Sequence, residues 1–172
     1  QRTAVSPIDK AVAIASNGDR RRATALFTKA IGQRTPLIQV PSKVLSESAS
    51  PALADLIVNL PQPFPRGLPA NEYLLTILLI RYGRSHEAAE YAAQGFAVEP
   101  TQLAACGVAR AAAALGDGAT SAAWLRTALD QGLPDDQLTA LVTSPAFIAV
   151  RGHPAVQRLA GPGTSPTATP RF

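Results

Sequence analysis

The chain has 172 residues, of which 47% are hydrophobic and 16% are charged, and its formal net charge is +4. A chain of this size buries one ordinary core, and its single cysteine, Cys106, excludes an intramolecular disulfide and a cysteine-based metal site. Residues 1–34 contain seven Lys or Arg against two Asp, a positive excess that is too local and too small to predict nucleic-acid binding.

The first predicted element is a helical hairpin over about residues 4–35. Alanine dominates the apolar residues and only 5% of all residues are aromatic, which favours closely packed helices and an all-α fold. Apolar residues recur at helical spacing on both sides of a break at Asn17-Gly18. They are Ile8, Ala11, Val12 and Ala15 before the break, and Ala23, Leu26, Phe27, Ala30 and Ile31 after it.

The second helix of this hairpin begins with the sequence "DRRRA", residues 19–23. Arg20, Arg21 and Arg22 span one helical turn, which is typical of a solvated face. The alternative is a charged surface that binds an acidic partner or lipid headgroups, so the three arginines are also candidate partner-binding residues.

Residues 36–68 do not repeat the hairpin and are predicted to be a degenerate repeat or an insertion. They contain one short helix, which is capped by Ser50 and has Pro51 in its first turn. The apolar face of this helix consists of Leu53, Leu56, Ile57 and Leu60. The stretch "LPQPFPRGLP" at 60–69 has four prolines in ten residues, which excludes a helix and predicts a connector.

Two further hairpins are predicted over about residues 69–100 and 102–132. In each, a glycine lies at the turn between two helical patterns, and these glycines are Gly83 and Gly116. The longest apolar run, "YLLTILLI", ends at Arg81 and is far shorter than the roughly 18 residues that a bilayer-spanning helix needs. It predicts a buried helix.

This repeated plan resembles the tetratricopeptide repeat family, whose unit is a helix-turn-helix of about 34 residues, close to the separation of Gly83 and Gly116. In that family, the glycine at the turn is followed at fixed spacing by a small residue, an apolar residue and an alanine. The copies here are Gly18, Asp19, Ala23, Phe27 and Ala30; Gly83, Arg84, Ala88, Ala92 and Gly95; and Gly116, Asp117, Ser121, Leu125 and Ala128. The family's early aromatic residue, and its later Leu-Gly and Tyr, are largely missing. The resemblance implies a right-handed superhelix of antiparallel helix hairpins, an α-solenoid.

Residues 133–160 are predicted to cap the C-terminal end of the repeats. They form three short amphipathic pieces, broken at Pro145 and Pro154, and a cap is needed because the last hairpin would otherwise expose an apolar face. Residues 161–172 are rich in Pro, Gly, Ser and Thr and are predicted to be an extended tail. The sequence thus predicts a single repeat domain over residues 1–160.

In the tetratricopeptide repeat family, the first helix of each hairpin lines an inner groove. The resemblance implies a groove formed by Ile8 and Val12, then Tyr73, Ile77 and Arg81, then Cys106 and Arg110. The Lys and Asn with which family members clamp the carboxylate end of chaperone peptides are absent from these positions. The groove suits an apolar or amphipathic segment of a partner, or a segment of this chain that folds back into it.

Trp124 is a further candidate. It points about 100° away from the inward-facing Leu125. It is therefore expected either to be buried against the C-terminal helices or to be exposed as an anchor for a partner.

Few residues suit catalysis or metal binding. His86 and His153 are far apart in the sequence, and neither lies beside a nucleophile motif or at metal-ligand spacing. Cys106 lies in an apolar run, which predicts a buried and inert thiol. We therefore predict no cofactor and no metal site, and a hydrolase-type enzyme that uses His86 or His153 is a distant alternative.

The predicted function is a non-enzymatic protein–protein interaction module, an accessory or scaffolding subunit of a larger bacterial assembly. Its partners are expected to be proteins and not nucleic acids, within a larger complex. No transmembrane segment is predicted, and a position of this complex at a membrane surface stays open. The candidate partner-binding residues are Tyr73, Ile77, Arg81, Arg110, Arg20, Arg21, Arg22 and Trp124.

The sequence has no Met and begins at Gln1. This start suits an exported, periplasmic protein from which a signal peptide has been removed. It equally suits a cytoplasmic fragment, the repeat region of a longer multidomain protein whose activity lies outside this chain.

Overall fold

The computed structural model describes residues 7–37 and 51–160. Within these ranges the chain forms nine α-helices, one 3₁₀ helix and no strand, which confirms the all-α class. The helices are α1 (Pro7–Ser16), α2 (Arg20–Gly32), α3 (Pro51–Val58), α4 (Pro69–Arg81), α5 (Ser85–Val98), α6 (Gln102–Ala114), α7 (Gly118–Asp130), α8 (Asp135–Val142) and α9 (Pro154–Ala160), with the 3₁₀ helix at Pro145–Phe147. The predicted Ser50 cap and the predicted tail lie outside the described residues.

Four glycines end helices in the same way. Gly116 has a φ of +79°, in the left-handed region that residues with a Cβ rarely adopt. Its N–H donates to the carbonyl of Ala113 at 3.0 Å, and the N–H of Asp117 donates to the carbonyl of Ala112 at 2.9 Å. This pair of bonds is the Schellman motif. The same motif ends α1, α4 and α7 at Gly18, Gly83 and Gly132. The predicted turns at Gly18, Gly83 and Gly116 are therefore confirmed.

Side chains cap the helices that follow. Asp19 accepts a hydrogen bond from the N–H of Arg22 at the start of α2, and Asp117 accepts one from the N–H of Thr120 at the start of α7. The hydroxyl of Thr101 caps α6 in the same way. Each cap satisfies an N–H that the helix itself leaves without a partner, and the two acids also suit the positive end of the helix dipole.

Contacts divide the chain into two compact units, the first ending at Arg84 and the second beginning at Ser85. In the first unit, α1 and α2 pack as an antiparallel hairpin, α3 packs on both, and α4 packs on α2 and α3. The fully buried side chains at the centre of this unit are Ile8, Phe27, Ile31, Leu53, Ile57, Leu74, Leu75, Leu78 and Leu79. The predicted short helix at Pro51 and the helix-free proline-rich connector are therefore both present.

One residue of the predicted apolar face of α2 differs from its neighbours. Ala23, Phe27 and Ile31 are buried, but Leu26 is only partly buried. At about 100° per residue, Leu26 lies at the edge of the apolar stripe, and it faces out of the unit's core.

A buried asparagine joins α4 to the chain that follows α2. Asn71 is fully buried, and its Nδ2 donates to the carbonyls of Gln33 at 3.0 Å and Thr35 at 3.1 Å. Its Oδ1 accepts a hydrogen bond from the N–H of Leu37 at 2.7 Å. These bonds satisfy backbone groups in a segment that has no helix of its own.

The proline-rich connector is fixed at both ends by charged side chains. Near α4, Glu72 accepts hydrogen bonds from the N–H of Gly67 at 3.0 Å and from the guanidinium of Arg66 at 2.9 Å. Near α3, Nη1 of Arg84 donates to the carbonyls of Ile57 at 2.8 Å and Leu60 at 3.0 Å. The Arg84 guanidinium thus satisfies carbonyls that the end of α3 leaves open.

In the second unit, α6 packs between α5 and α7. Ala105, Ala109, Ala111 and Ala113 are fully buried on this helix, because neighbours approach it from more than one side. The hydroxyl of Ser121 on α7 donates to the carbonyl of Ala109 at 2.9 Å. The alanine-rich sequence of α6 therefore reflects close helix packing.

The predicted closing segment is present as α8, the 3₁₀ helix and α9. The 3₁₀ helix packs on α6 through the fully buried Phe147, and α9 packs on α7 and α8. His153, just before α9, lies so close to Gly118 that a Cβ at that glycine would be 2.5 Å from the imidazole. The closing segment covers apolar surface of the last hairpin.

Candidate interaction site

Three of the predicted partner-binding residues lie at four-residue spacing on α4. Tyr73, Ile77 and Arg81 are all partly exposed, and we call them the α4 face. The side chains between them on the sequence, from Leu74 to Leu79, are mostly buried. The first unit therefore presents an aromatic ring, an aliphatic side chain and a cation in a row.

Arg110 lies on α6 in the second unit, one turn after Cys106. Arg110 is partly exposed, whereas Cys106 is only 4% exposed. Burial raises the pKa of the Cys106 thiol to about 11, and the positive charge of Arg110 opposes this rise only in part. The thiol is protonated at neutral pH, as expected for an inert, buried cysteine. Of the other positions assigned to the groove, Ile8 is fully buried.

Trp124 lies on α7, and its ring meets Phe96 of α5 edge to face, with centroids 5.2 Å apart and planes at 86°. Leu125 beside it is fully buried, as predicted. The aromatic partner of Trp124 therefore belongs to α5, which precedes it in the chain, and not to the C-terminal helices. Trp124 remains partly exposed.

The three successive arginines do not share one environment. Nε of Arg20 forms an ion pair of 2.8 Å with Asp55 of α3, although the two side chains are 62% and 41% exposed. An ion pair this exposed to water contributes little stability. Arg21 is exposed, and Arg22 borders a groove on the outer side of the hairpin.

This α1–α2 groove is lined by four apolar and three basic residues: Lys10, Ala13, Ile14, Arg22, Ala25, Leu26 and Lys29. The sequence interpretation assigned Leu26 to the core and did not identify the groove. The spacing that reveals it is a second helical stripe, because residues 22, 25, 26 and 29 follow the same i, i+3, i+4, i+7 rule as a core face.

The two histidines lie in different settings. His86 is exposed in the first turn of α5, whereas Nδ1 of His153 accepts a hydrogen bond from the N–H of Ala155 at 3.2 Å.

Across the described ranges, no three His, Cys, Asp or Glu side chains cluster in a way that could hold a metal ion. In the same ranges, no helix has the length and apolar character that a membrane crossing requires.

No protein-family model, curated protein or solved structure matches the chain. The tetratricopeptide resemblance is therefore carried by the residue pattern alone.

Proposed function

We propose that the protein is a non-enzymatic interaction module, an accessory or scaffolding subunit that binds an apolar or amphipathic segment of another protein on its α4 face. The observation that carries this proposal is the distribution of apolar residues around α4. Leu74, Leu75 and Leu78 enclose one side of the helix in the core, yet Tyr73 and Ile77 on another side stay partly exposed. Apolar residues that line up on a partly exposed face suit a partner, because binding removes them from water.

Arg81 makes the two ends of the α4 face chemically different. It lies in the last turn of α4, one turn beyond Ile77, and so places a cation at one end of the apolar pair. A partner segment with two apolar side chains and a carboxylate one turn further would match this order.

We further propose that the hairpins follow one another as a tetratricopeptide-like α-solenoid. Support comes from the Schellman turns at Gly83 and Gly116, whose separation is close to one repeat unit of that family. In such an array Cys106 and Arg110 occupy the positions of Tyr73 and Ile77 in the next repeat. Arg110 and Trp124 would then be partner-binding residues of the second unit.

The chemistry of the second unit is consistent with a binding role. Cys106 is kept protonated by burial, and His153 accepts a backbone hydrogen bond next to the closing helix. Both side chains thus take part in the internal contacts of the second unit.

The test is cross-linked affinity purification from the native host with the full chain. An Ile77→Asp, Arg81→Glu double variant should recover a specific partner at least about ten-fold less than the wild type, because it places charge on the apolar row and reverses the cation. The matched control is Val98→Asp, since Val98 is 85% exposed and belongs to α5 in the second unit. Equal recovery by the double variant, or no specific partner of the wild type, would contradict the proposal.

A further inference from the structure

The α1–α2 groove is a second candidate surface in the first unit. It is open to solvent and has a volume of about 580 Å³. Its apolar lining consists of Ala13, Ile14, Ala25 and Leu26, and its charged lining consists of Lys10, Arg22 and Lys29. Among the described residues, no acidic side chain lines it.

The three cations are not neutralised by the described parts of the chain. None of Lys10, Arg22 and Lys29 forms an ion pair within residues 7–37 and 51–160, in contrast to Arg20, which is paired with Asp55. Three basic side chains around an apolar strip create a positive potential that favours an anionic ligand.

The shape of the groove favours a helix as that ligand. Residues 22 to 29 span two helical turns, about 10 Å along α2, and Lys10, Ala13 and Ile14 form the facing stripe on α1. Ala13 and Ala25 leave the strip recessed, so it can receive the side chains of a third helix packed against the pair. A flat bilayer surface would instead need large apolar side chains that protrude.

We propose that the α1–α2 groove docks an acidic amphipathic helix of a partner protein. The apolar side chains of that helix contact Ile14 and Leu26, and its carboxylates lie next to Lys10, Arg22 and Lys29. This inference shares with the proposed function only the premise that the chain binds other proteins, because no groove residue belongs to the α4 face.

The chain itself does not offer a matching segment outside the described residues. Residues 1–6 and 161–172 contain no Asp or Glu, and residues 38–50 contain one Glu and one Lys. A second copy that presented the same groove would bring like charges together. Charge complementarity therefore points to a separate, acidic partner.

The test uses three labelled peptides of about four helical turns, each held helical by a side-chain staple. The first has Leu on one face and Glu on both flanks, the second has Lys in place of Glu, and the third keeps Glu but has Ser in place of Leu. Fluorescence anisotropy with the full chain should show binding of the first peptide alone. Added salt should weaken this binding, because the contacts include exposed charges.

Two groove variants locate the peptide. Lys10→Glu with Lys29→Glu should lower the affinity at least about ten-fold by charge reversal. Ala25→Trp should lower it as much by filling the groove without a change of charge. The matched control is Arg21→Glu with Arg34→Glu, which alters the net charge equally at two exposed residues outside the groove and should leave the affinity within about two-fold. Circular dichroism confirms that each variant is folded.

Several results would overturn the inference. They are equal binding of the acidic and basic peptides, no binding of the acidic peptide, and an equal loss in the control. Binding to vesicles that contain phosphatidylglycerol, dependent on Lys10 and Lys29 in the absence of peptide binding, would assign the groove to a membrane. Self-association that the Lys10→Glu, Lys29→Glu variant abolishes would assign it to a second copy.

The Ile77→Asp, Arg81→Glu variant separates this inference from the proposed function. It should bind the acidic peptide as the wild type does. Loss of peptide binding in this variant would place the peptide on the α4 face and would contradict the groove assignment alone.

Discussion

The buried side chain of Asn71 holds a distant segment of backbone in place through several hydrogen bonds. Its amide donates to the carbonyls of Gln33 and Thr35 and accepts from the N–H of Leu37, all of them distant in the sequence. We expect Asn71→Leu to lower the free energy of unfolding by about 2–4 kcal/mol, because it leaves several buried backbone groups without partners. Urea unfolding followed by circular dichroism measures the change.

The control for this prediction is Asn59→Ala. Asn59 is exposed, and its amide bonds to Asp55 one turn away. A surface substitution of this kind should change the free energy of unfolding by no more than about 0.5 kcal/mol. If both variants lost the same stability, the long-range role of Asn71 would be wrong.

Gly67 is important because the backbone of Ile31 packs closely against it. A Cβ at this position would overlap the carbonyl oxygen of Ile31, whereas a Cβ at Gly152 would meet nothing within 4 Å. We expect Gly67→Ala to destabilise the protein by about 1–3 kcal/mol through this overlap, and Gly152→Ala to be neutral or slightly stabilising. Thermal unfolding of the two variants side by side checks the pair, and a Gly67→Ala protein as stable as the wild type would refute it.

At the scale of elements, the closing segment offers a comparison between adjacent residues. Phe147 is fully buried against α6, and Ile148 next to it is 67% exposed. Phe147→Ala should cost about 3–5 kcal/mol because it leaves a cavity, and Ile148→Ala should cost less than about 0.5 kcal/mol. Chemical denaturation measures both, and similar losses for the two would mean that the 3₁₀ helix does not anchor the segment.

The caps of α6 and α7 differ in whether they carry charge, and this predicts a pH dependence. Hydrogen bonds from Thr120 hold the pKa of the Asp117 carboxyl below its usual range. Because folding lowers this pKa, the charge stabilises the fold above the pKa of the unfolded chain, and the contribution is lost as pH falls through the folded-state pKa. The stability difference between wild type and Asp117→Asn should therefore shrink as the pH is lowered from about 7 to about 3.

Thr101→Ala is the control, because it removes an uncharged cap from α6. Its stability difference from the wild type should stay constant over the same pH range. A constant difference for Asp117→Asn as well would show that the charge of Asp117 has no part in the cap.

The positions of the helices followed from the sequence because they depend on local rules. Helical spacing, turn glycines such as Gly116 and caps such as Asp117 act within a few residues, so they leave a readable pattern. The hydrogen bonds of Asn71 and Arg84 left no readable pattern in the sequence, because each joins a side chain to backbone atoms in a distant part of the chain. Their partners are backbone groups, which are common to almost all residues.

At the scale of the whole molecule, the single thiol offers a measure of how often the second unit opens. Cys106 is nearly inaccessible, and its pKa is raised to about 11. In native protein at pH 8, its reaction with a disulfide reagent should be at least about 100-fold slower than in urea-unfolded protein, because the thiolate is rare and covered. Native labelling within ten-fold of the unfolded rate would contradict this burial.

The two candidate surfaces also differ in how far the sequence predicts them. The tetratricopeptide resemblance implies a role for the positions of Tyr73, Ile77 and Arg81, and all three are partly exposed. Their role in binding stays a prediction. The α1–α2 groove lies on a second helical stripe, but its apolar residues are two alanines and the edge residues Ile14 and Leu26. Sequence periodicity alone assigns such a stripe equally well to a core. Which side of a two-helix hairpin faces its neighbours is decided by α3 and α4, and these pack on it from elsewhere in the chain.

The left-handed glycines at the ends of α1, α4, α6 and α7 have a genetic consequence. Any single-base change that alters the amino acid of a glycine codon adds a Cβ, and in this conformation that costs roughly 1–2 kcal/mol. Such a loss is a large share of the roughly 5–15 kcal/mol that keeps an ordinary domain folded. We expect Gly18, Gly83, Gly116 and Gly132 to tolerate substitution less well than Gly152, and a saturation mutagenesis library sorted for folded protein should be depleted of substitutions at these four codons.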